Sequence, residues 1–469
     1  MLGRCRAATE GPSQFRNTTK ERVLIITYQE FISSPDRGAA LLAAVRDYQN
    51  SALFRTAKAA NAYFAGDNPA VAQKTILQAG KIETRDEQGR RRVRPHARDV
   101  VGNRIPGGFL HRFVVQQNQY LLGNGCTLGS PELKAKLGSD FDLVLARMGE
   151  QALLHGVCWG YWNTDHLEPL AACAGEYSGF FTLPDEITSQ PGLGVQFWRL
   201  SAARPLHVRL FEPEGVSLLR CRDERWETLQ PRRPYRLTRV TTALGERWEG
   251  GNWPRLPLIP FYGNPEHRSE LTPAIHAKID AYDRILSDFA DNLDRANDVY
   301  WVLNNFSGTA DDVAEMLAAI GRIKAVANFS DGTGTSSTAE PHTIEVPFEA
   351  RRTALELLER ELYRDWMALD LQELTSGSLT NVAIRAATSA LDQKTDRFEW
   401  EAFAFVRSLL RLLGEDTDAI RFTRRSIAND SETVADIAVM RPDIDRRTAL
   451  RLNPYIQPEE VEPLLREKA

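Results

Sequence analysis

A chain of 469 residues, 42% hydrophobic and 26% charged, is long enough for more than one domain and has the composition of a folded protein. A net charge of −5 and a pI near 6.0 exclude a general electrostatic pull towards nucleic acid, so any such contact has to be local or weak. Cys5, Cys126, Cys158, Cys173 and Cys221 are odd in number and never form a CxxC pair, which argues against a disulfide framework or a zinc site. No run reaches the length of a membrane span and the N-terminus lacks the apolar core of a signal peptide, so a soluble intracellular protein is expected, with no membrane and no metal.

Residues 1–20 are polar and irregular, and the N-terminus over 1–29 is expected to be disordered. Ser34 to Phe64 reads as one helix, with Ser34 as cap, Pro35 in the first turn, and Leu41, Leu42, Val45, Tyr48, Leu53 and Phe54 near helical spacing. Lys81 to Asp99 is rich in arginine but also carries Glu83, Asp86, Glu87 and Asp99. It reads as a solvated loop, with a grip on phosphate as the alternative. Phe109 to Leu122 is a helix stopped by Gly123-Asn124-Gly125, which supply positive-φ residues. Those glycines do not make a phosphate-binding loop, since no GK[ST] follows.

A further helix runs from Phe141 to about His155. After it, CWGYWN, GFFTL, VQFWRL, HVRLFE and VSLLRC are short alternating segments between turn residues, the mark of a β-rich region reaching about Arg255. His155, His166, His207 and His267 lack metal-ligand spacing.

Thr272 to Leu303 organises the rest of the chain. Ile275, Ile279, Tyr282, Leu286, Phe289, Leu293, Ala296, Tyr300 and Leu303 alternate four and three apart, the repeat of a helix packed along a continuous seam. Beside the seam runs an acidic row: Asp280, Asp283, Asp288, Asp291, Asp294 and Asp298. From Glu270 to Tyr300 seven carboxylates face three basic residues, a balance of −4 in a chain whose total is −5. Such a row is either the solvated side of a surface helix or, if many copies stand side by side, the lining of a shared lumen. Periodicity alone leaves both open.

Beyond it are a short helix at Ala310–Ile320 and two strands at 322–329 and 342–348. Between those strands lies a loop, 330–341, rich in Gly, Ser and Thr. A second long helix, Glu349 to Leu369, carries Leu355, Leu358, Leu362, Trp366 and Leu369 on one stripe. A third, Asn381 to Leu413, carries Ile384, Ala387, Leu391, Phe398, Ala402, Phe405, Leu409 and Leu412, with Thr395 as the one polar member. The connection between them, DLQELTSGSLT at 370–380, has only Asp370 and Glu373 charged and offers hydrogen-bonding groups without a basic charge to trap phosphate. A short strand at Ala419–Phe422 and small helices broken by prolines follow. G-x-S-x-G, H-E-x-x-H and Walker motifs are absent, and the carboxylates form rows rather than converging pairs, so an enzyme is not expected and no cofactor is implied.

Four stretches, in this order, resemble the portal proteins of tailed bacteriophages, in the type found in siphophages and prophages of Gram-positive hosts. They are NRIPGGFLHRFVVQQNQYLLGNG at 103–125, LPLIPFYGNPEHRSELTPAIHAKIDAYDRILSDFADNLD at 256–294, LTNVAIRAATSALDQKTDRFE at 379–399 and RRTALRLNPYIQPEEVE at 446–462. The resemblance implies an α+β, portal-like fold with long stem helices, a β-containing clip, an α/β wing and a small helical crown. In that scheme the wing is 30–265, stem helices 266–303 and 349–369, and the clip 304–348. A tunnel loop follows at 370–380, then the long helix and wing strand at 381–425 and the crown at 426–469.

The resemblance further implies a homo-oligomeric ring, usually of 12 subunits, at one vertex of the capsid. Double-stranded DNA would be packaged and ejected through it without sequence-specific binding. Terminase, head-completion or connector, scaffold and capsid proteins are the implied partners. The site would be the virion's portal vertex, after assembly in the cytoplasm of the host bacterium. Gln372, Thr375, Ser376, Ser378 and Thr380 would then lie nearest the DNA. A cytosolic helical scaffold or adaptor without a channel is the alternative.

Overall fold

In this computed structural model, residues 26–85, 91–242, 245–295, 299–304, 338–343, 348–371, 380–424, 430–456 and 460–466 are described. In chain order the first elements are helices α1 (Tyr28–Ser33), α2 (Arg37–Gln49), α3 (Ala52–Phe64) and α4 (Pro69–Ala72), then strands β1 (Thr75–Arg85) and β2 (Arg91–Val101). They are followed by α5 (Phe109–Leu122), β3 (Cys126–Thr127), α6 (Pro131–Lys136) and α7 (Phe141–His155). The β-rich region holds β4 (Val157–Asn163), β5 (His166–Ala171), β6 (Gly179–Pro184), β7 (Pro191–Trp198), β8 (Leu206–Glu212), β9 (Gly215–Arg222), β10 (Arg225–Arg233), β11 (Arg236–Thr242), β12 (Gly245–Gly251) and β13 (Leu258–Tyr262). Then come α8 (Pro273–Arg295), β14 (Val299–Asn304), β15 (Thr338–Thr343), α9 (Phe348–Trp366) and α10 (Asn381–Leu412). Last are β16 (Arg421–Phe422), α11 (Asp430–Met440), α12 (Arg446–Leu452) and α13 (Val461–Arg466).

These elements form two compact units, and the fold is a mixture of helices and antiparallel sheets. The first unit comprises Met1–Lys58, Leu128–Gly263 and Ala404–Ala419. Its centre is a five-stranded meander in the order β10-β9-β8-β7-β6. Alternation gives β6, β8 and β9 two apolar faces, whereas the edge strand β10 is exposed along almost its whole length. Phe181, Leu183, Val195, Phe197, Val208 and Leu210 meet Leu41, Leu42, Val45, Tyr48 and Phe54 of the N-terminal helices. On the opposite face, Phe180, Phe211 and Val216 meet Tyr161, Leu170 and Leu258 of a smaller sheet ordered β13-β4-β5. The Tyr48 hydroxyl, buried in the first cluster, donates to the Ala172 carbonyl at 2.9 Å.

The second unit comprises Ala59–Thr127, Asn264–Phe403 and Ile420–Ala469. The stretch 59–127, read above as part of one region 30–265, therefore shares its unit with α8, α9 and most of α10. Apolar burial here centres on Phe113 of α5, whose ring stacks on Trp366 at 5.2 Å and meets Tyr363 edge-on at 5.1 Å.

Several expected elements differ. The helix expected over Ser34–Phe64 is α2 and α3, broken at Asn50-Ser51. Its cap is Asp36, whose side chain accepts from the Ala39 N–H, while Ser34 ends α1. Between Lys81 and Asp99 the chain forms most of an antiparallel hairpin, β1–β2, rather than a loop. Its register runs unbroken from Thr75 opposite Val101 to Arg85 opposite Arg91. Of the expected trio Gly123-Asn124-Gly125 after α5, Gly125 takes the positive φ, at 70°, while Gly123 stays helical.

The helix expected to reach Leu303 stops at Arg295; Val299–Asn304 is a strand paired with Thr338–Thr343. Val299, Tyr300, Trp301 and Val302 are β-branched or aromatic, a strand-forming run that outweighs the continuing three-four spacing. The second long helix ends at Trp366 instead of Leu369. The expected elements at 310–320 and 322–329 lie outside the described residues, as does the loop 330–341 apart from its last four residues, which belong to β15. The N-terminal residues 1–25 lie outside them too.

Candidate functional site

Two features singled out in the sequence lie in the second unit: the acidic helix α8 and the polar connection between α9 and α10. On α8 the buried stripe is not the expected seam. Ile275 and Ile279 are buried, but the stripe continues four residues apart as Asp283, Ser287 and Asp291, with relative exposures of 0%, 0% and 7%. Tyr282, Leu286 and Phe289 are half-buried and Leu293 is exposed.

Polar groups can be buried there because an irregular segment between β2 and α5 lies along them and needs acceptors. The Gly107 N–H donates to Asp283 Oδ1 at 2.7 Å, the Ile105 N–H to Ser287 Oγ at 3.1 Å and the Asn103 N–H to Asp291 Oδ1 at 2.7 Å. Alternate N–H groups of the segment are used, and Pro106 between two of them has none to satisfy. Two residues of extended chain span about 6.6 Å, and four residues of helix rise about 6 Å. The helix side chains therefore substitute for the edge of a partner strand, running antiparallel to the segment. A Cβ on Gly107 would stand 2.8 Å from Asp283 Oδ1, so this approach requires glycine.

The remaining carboxylate oxygens are also engaged. Asn68 Nδ2 donates to Asp283 Oδ2 at 2.6 Å, and Lys74 Nζ reaches Asp291 Oδ2 at 2.5 Å and Asp288 Oδ1 at 2.7 Å. The Tyr63 hydroxyl donates to Asp280, and His276 Nε2 lies 2.8 Å from that hydroxyl. Burial pushes the Asp283 carboxyl up to about 6, against the two hydrogen bonds that favour its charged form. At Asp291 burial acts in the same direction, but Lys74 and the Asn103 N–H prevail and hold the carboxyl below its ordinary value.

The expected acidic row thus divides. Asp283 and Asp291 are turned into their own unit, Asp280 is mostly covered, and Asp288 is exposed. The side chain of Asp294 and all of Asp298 lie outside what is described.

The polar connection begins with a helix stop of unusual composition. Met367 adopts φ 62°, the Ala368 N–H donates to the Tyr363 carbonyl and the Met367 N–H to the Arg364 carbonyl. This is a Schellman motif with methionine where glycine is usual. The Gln116 side chain then pins Leu369 by two bonds, accepting from its N–H at 3.0 Å and donating to its carbonyl at 2.9 Å. Lys394 Nζ donates to the Trp366 carbonyl at 3.0 Å, lies 3.9 Å from the Trp366 ring centre and pairs with Glu270 at 2.7 Å. Burial draws the Lys394 ammonium below its usual value while Glu270 opposes it.

At the far end, Thr380 Oγ1 accepts from the Ala383 N–H and caps α10. The Asn381 N–H donates to Glu432 Oε2 at 2.6 Å, a carboxylate at the positive end of that helix. Of the five residues expected nearest a channel, Thr380 is exposed; Gln372, Thr375, Ser376 and Ser378 lie outside the described residues.

The sequence reading missed the partners of both features: Tyr63, Asn68, Lys74, Gln116, Lys394 and Glu432. One signal was available. Asp283, Ser287 and Asp291 repeat every four residues, and the acidic row as read above left Ser287 out.

A long acidic helix whose polar stripe holds the NRIPGG segment, followed by two further long helices, carries three of the four stretches on which the phage-portal resemblance rests. The chain belongs to the family described as "Phage portal protein, SPP1 Gp6-like", whose profile matches residues 47–469. Among relatives, it is 30% identical over 403 residues to the portal protein of Bacillus phage SPP1, covering 77% of this chain and 75% of that one. It is also 30% identical over 223 residues to the portal protein of Clostridium phage phiCD119, where the match spans 45% of this chain and about half, 48%, of that protein. Among solved structures, a chain of the virion of a native gene transfer agent particle matches with 12% identity and a TM-score of 0.40. That match covers 76% of this chain and 89% of the other.

Proposed function

We propose that this protein is the subunit of a closed ring at the capsid vertex of a tailed phage or prophage. Double-stranded DNA is packaged and ejected through the ring. The observation that carries this is membership of the phage portal family along residues 47–469, joined to 30% identity over 403 residues with a portal protein. Portal proteins are structural rather than catalytic, and the reading needs no cofactor.

The finer assignments follow from it. The ring has 12 subunits, assembles in the host cytoplasm, and carries docking surfaces for terminase, head-completion and connector, scaffold and capsid proteins. Leu286 and Phe289, half-buried in one subunit, and Leu293, exposed, are covered by the neighbouring copy. Each such interface is heterologous and closes by rotation.

Helices α8 and α9 act as the stem, and DNA passes the 370–380 connection. Weak binding suits a duplex in transit, because every phosphate neutralised adds counterion-release affinity. In the connection, Gln372, Thr375, Ser376, Ser378 and Thr380 supply hydrogen-bonding groups without positive charge. On α8 the carboxylate available to a lumen is that of Asp288; the buried Asp283 and Asp291 serve their own subunit. Asp294 and Asp298, which lie outside the described side chains, are proposed as further members from the sequence row alone.

Electron microscopy of the purified protein tests the ring: particles with a central hole are expected, and monomers only would favour a helical scaffold without a channel. A packaging assay tests the loop. Ser376→Lys combined with Ser378→Lys should leave the ring intact and slow packaging by making DNA adhere. Wild-type packaging by rings of that variant would take the connection out of the channel.

A further inference from the structure

The β1–β2 hairpin is joined to the rest of its unit by two feet, Lys74 entering β1 and Asn103 just after β2. Both feet bind the same carboxylate. Asp291 Oδ2 accepts from Lys74 Nζ at 2.5 Å and Asp291 Oδ1 from the Asn103 N–H at 2.7 Å, while Arg104 bonds the Lys74 carbonyl at 3.4 Å and so ties one foot to the other. Asp291 is buried, and the two bonds occupy its two oxygens. Between the feet the hairpin holds itself together by a ladder with no register shift over eleven residue pairs.

We infer that Asp291 is the clamp of a hinged arm: one carboxylate on α8 fixes both feet of the hairpin, so the hairpin docks and is released as a single piece. Ser287 and Asp283 extend the clamp along the segment that leads into α5, each holding one further N–H. The device separates two kinds of strength. Cohesion within the hairpin comes from backbone bonds and does not depend on charge. Its attachment rests on the ion pairs of Lys74 with Asp291 and Asp288 and on backbone N–H groups bonded to side chains, so single substitutions on α8 act on the attachment alone. An arm of eleven residues per strand is about 36 Å long, so a small rotation at the feet moves its tip by many ångströms.

Hydrogen exchange of the full-length chain read by mass spectrometry tests this, with Asp291→Asn and Lys74→Met as the variants. In both, exchange of the amides in 103–107 is expected to rise about tenfold or more, while the β1–β2 ladder and α5 keep wild-type rates. Lys74→Met is the sharper variant, because Lys74 is not a partner of any of those amides; it reaches them only through the shared carboxylate and the bond from Arg104. Ser287→Ala should accelerate the same segment less, since one uncharged acceptor is lost. Unchanged exchange at 103–107 in Lys74→Met would show the feet to be independent and overturn the clamp. Acceleration spread through α5 and α8 would show general loosening of the unit and overturn it equally.

Discussion

Helices α8 and α10 read alike in the sequence, each a long apolar stripe at three-four spacing, yet they bury different chemistry. On α10, within the second unit, Ile384, Leu391, Phe398 and Ala402 are buried along a straight seam. On α8 the buried row is Ile275, Ile279, Asp283, Ser287 and Asp291, always four apart, which slants across the helix and turns polar halfway. The cause lies in what each helix meets. Where side chains pack on side chains, an apolar seam suffices; where a stretch of bare backbone lies on a helix, its N–H groups must find acceptors. An acidic row is therefore no guide by itself to a surface exposed to solvent or DNA.

Substitutions can break this contrast or sharpen it. The largest effect is expected from Phe398→Ala, which removes a fully buried ring from the apolar seam and should cost about 3 to 5 kcal/mol in denaturant unfolding. A loss below about 1 kcal/mol would mean that the seam is not the core described.

Asp283→Asn should change how stability depends on pH. The folded carboxyl titrates near 6, above its ordinary value of 3.8, so the folded state holds the proton more tightly than the unfolded one. The associated stability is fully present below about pH 4 and is lost as pH rises through about 6, at about 1.4 kcal/mol per pKa unit. The difference between variant and wild-type stability should slope between those limits and be flat above about pH 7. A flat difference throughout would place Asp283 in a solvated site.

The smallest effect is expected from Thr395→Val. The Thr395 hydroxyl is buried in the apolar seam with no hydrogen-bond partner among the described residues, so the isosteric change should raise stability by about 1 kcal/mol. Destabilisation would reveal a partner for the hydroxyl.

Local patterns in the sequence carried much of the fold. Helices α5 and α7 begin and end where expected, because glycines follow each and their apolar spacing is regular. Alternation and turn residues located β4 and the strands of the meander. What misled the reading was spacing that continued past the helix. Tyr300 and Leu303 keep the three-four repeat of α8, yet they sit among strand-forming residues and pair with 338–343. The hairpin β1–β2 was hidden by its charge, since basic and acidic residues between turn signals read as a loop. The attachment of 103–107 to α8 was out of reach for a further reason. Backbone donors leave no mark in a sequence, and the partners Lys74 and Asn103 are each more than 180 residues from Asp291. The connection at 370–380 was located by its composition, whereas its anchors Gln116 and Lys394 look like ordinary surface residues until Leu369 and Trp366 are placed beside them.

The two-residue ladder between β3 and β16 joins Cys126-Thr127 to Arg421-Phe422. Its consequence concerns biosynthesis. Each unit draws on three separate stretches of the chain, and the first needs residues up to Ala419 while the second resumes at Ile420. At roughly 5 to 20 residues per second, a ribosome takes on the order of half a minute or more to deliver those residues, and until then neither unit can close. Chains cut short before residue 420 should therefore present unfinished apolar surfaces to chaperones.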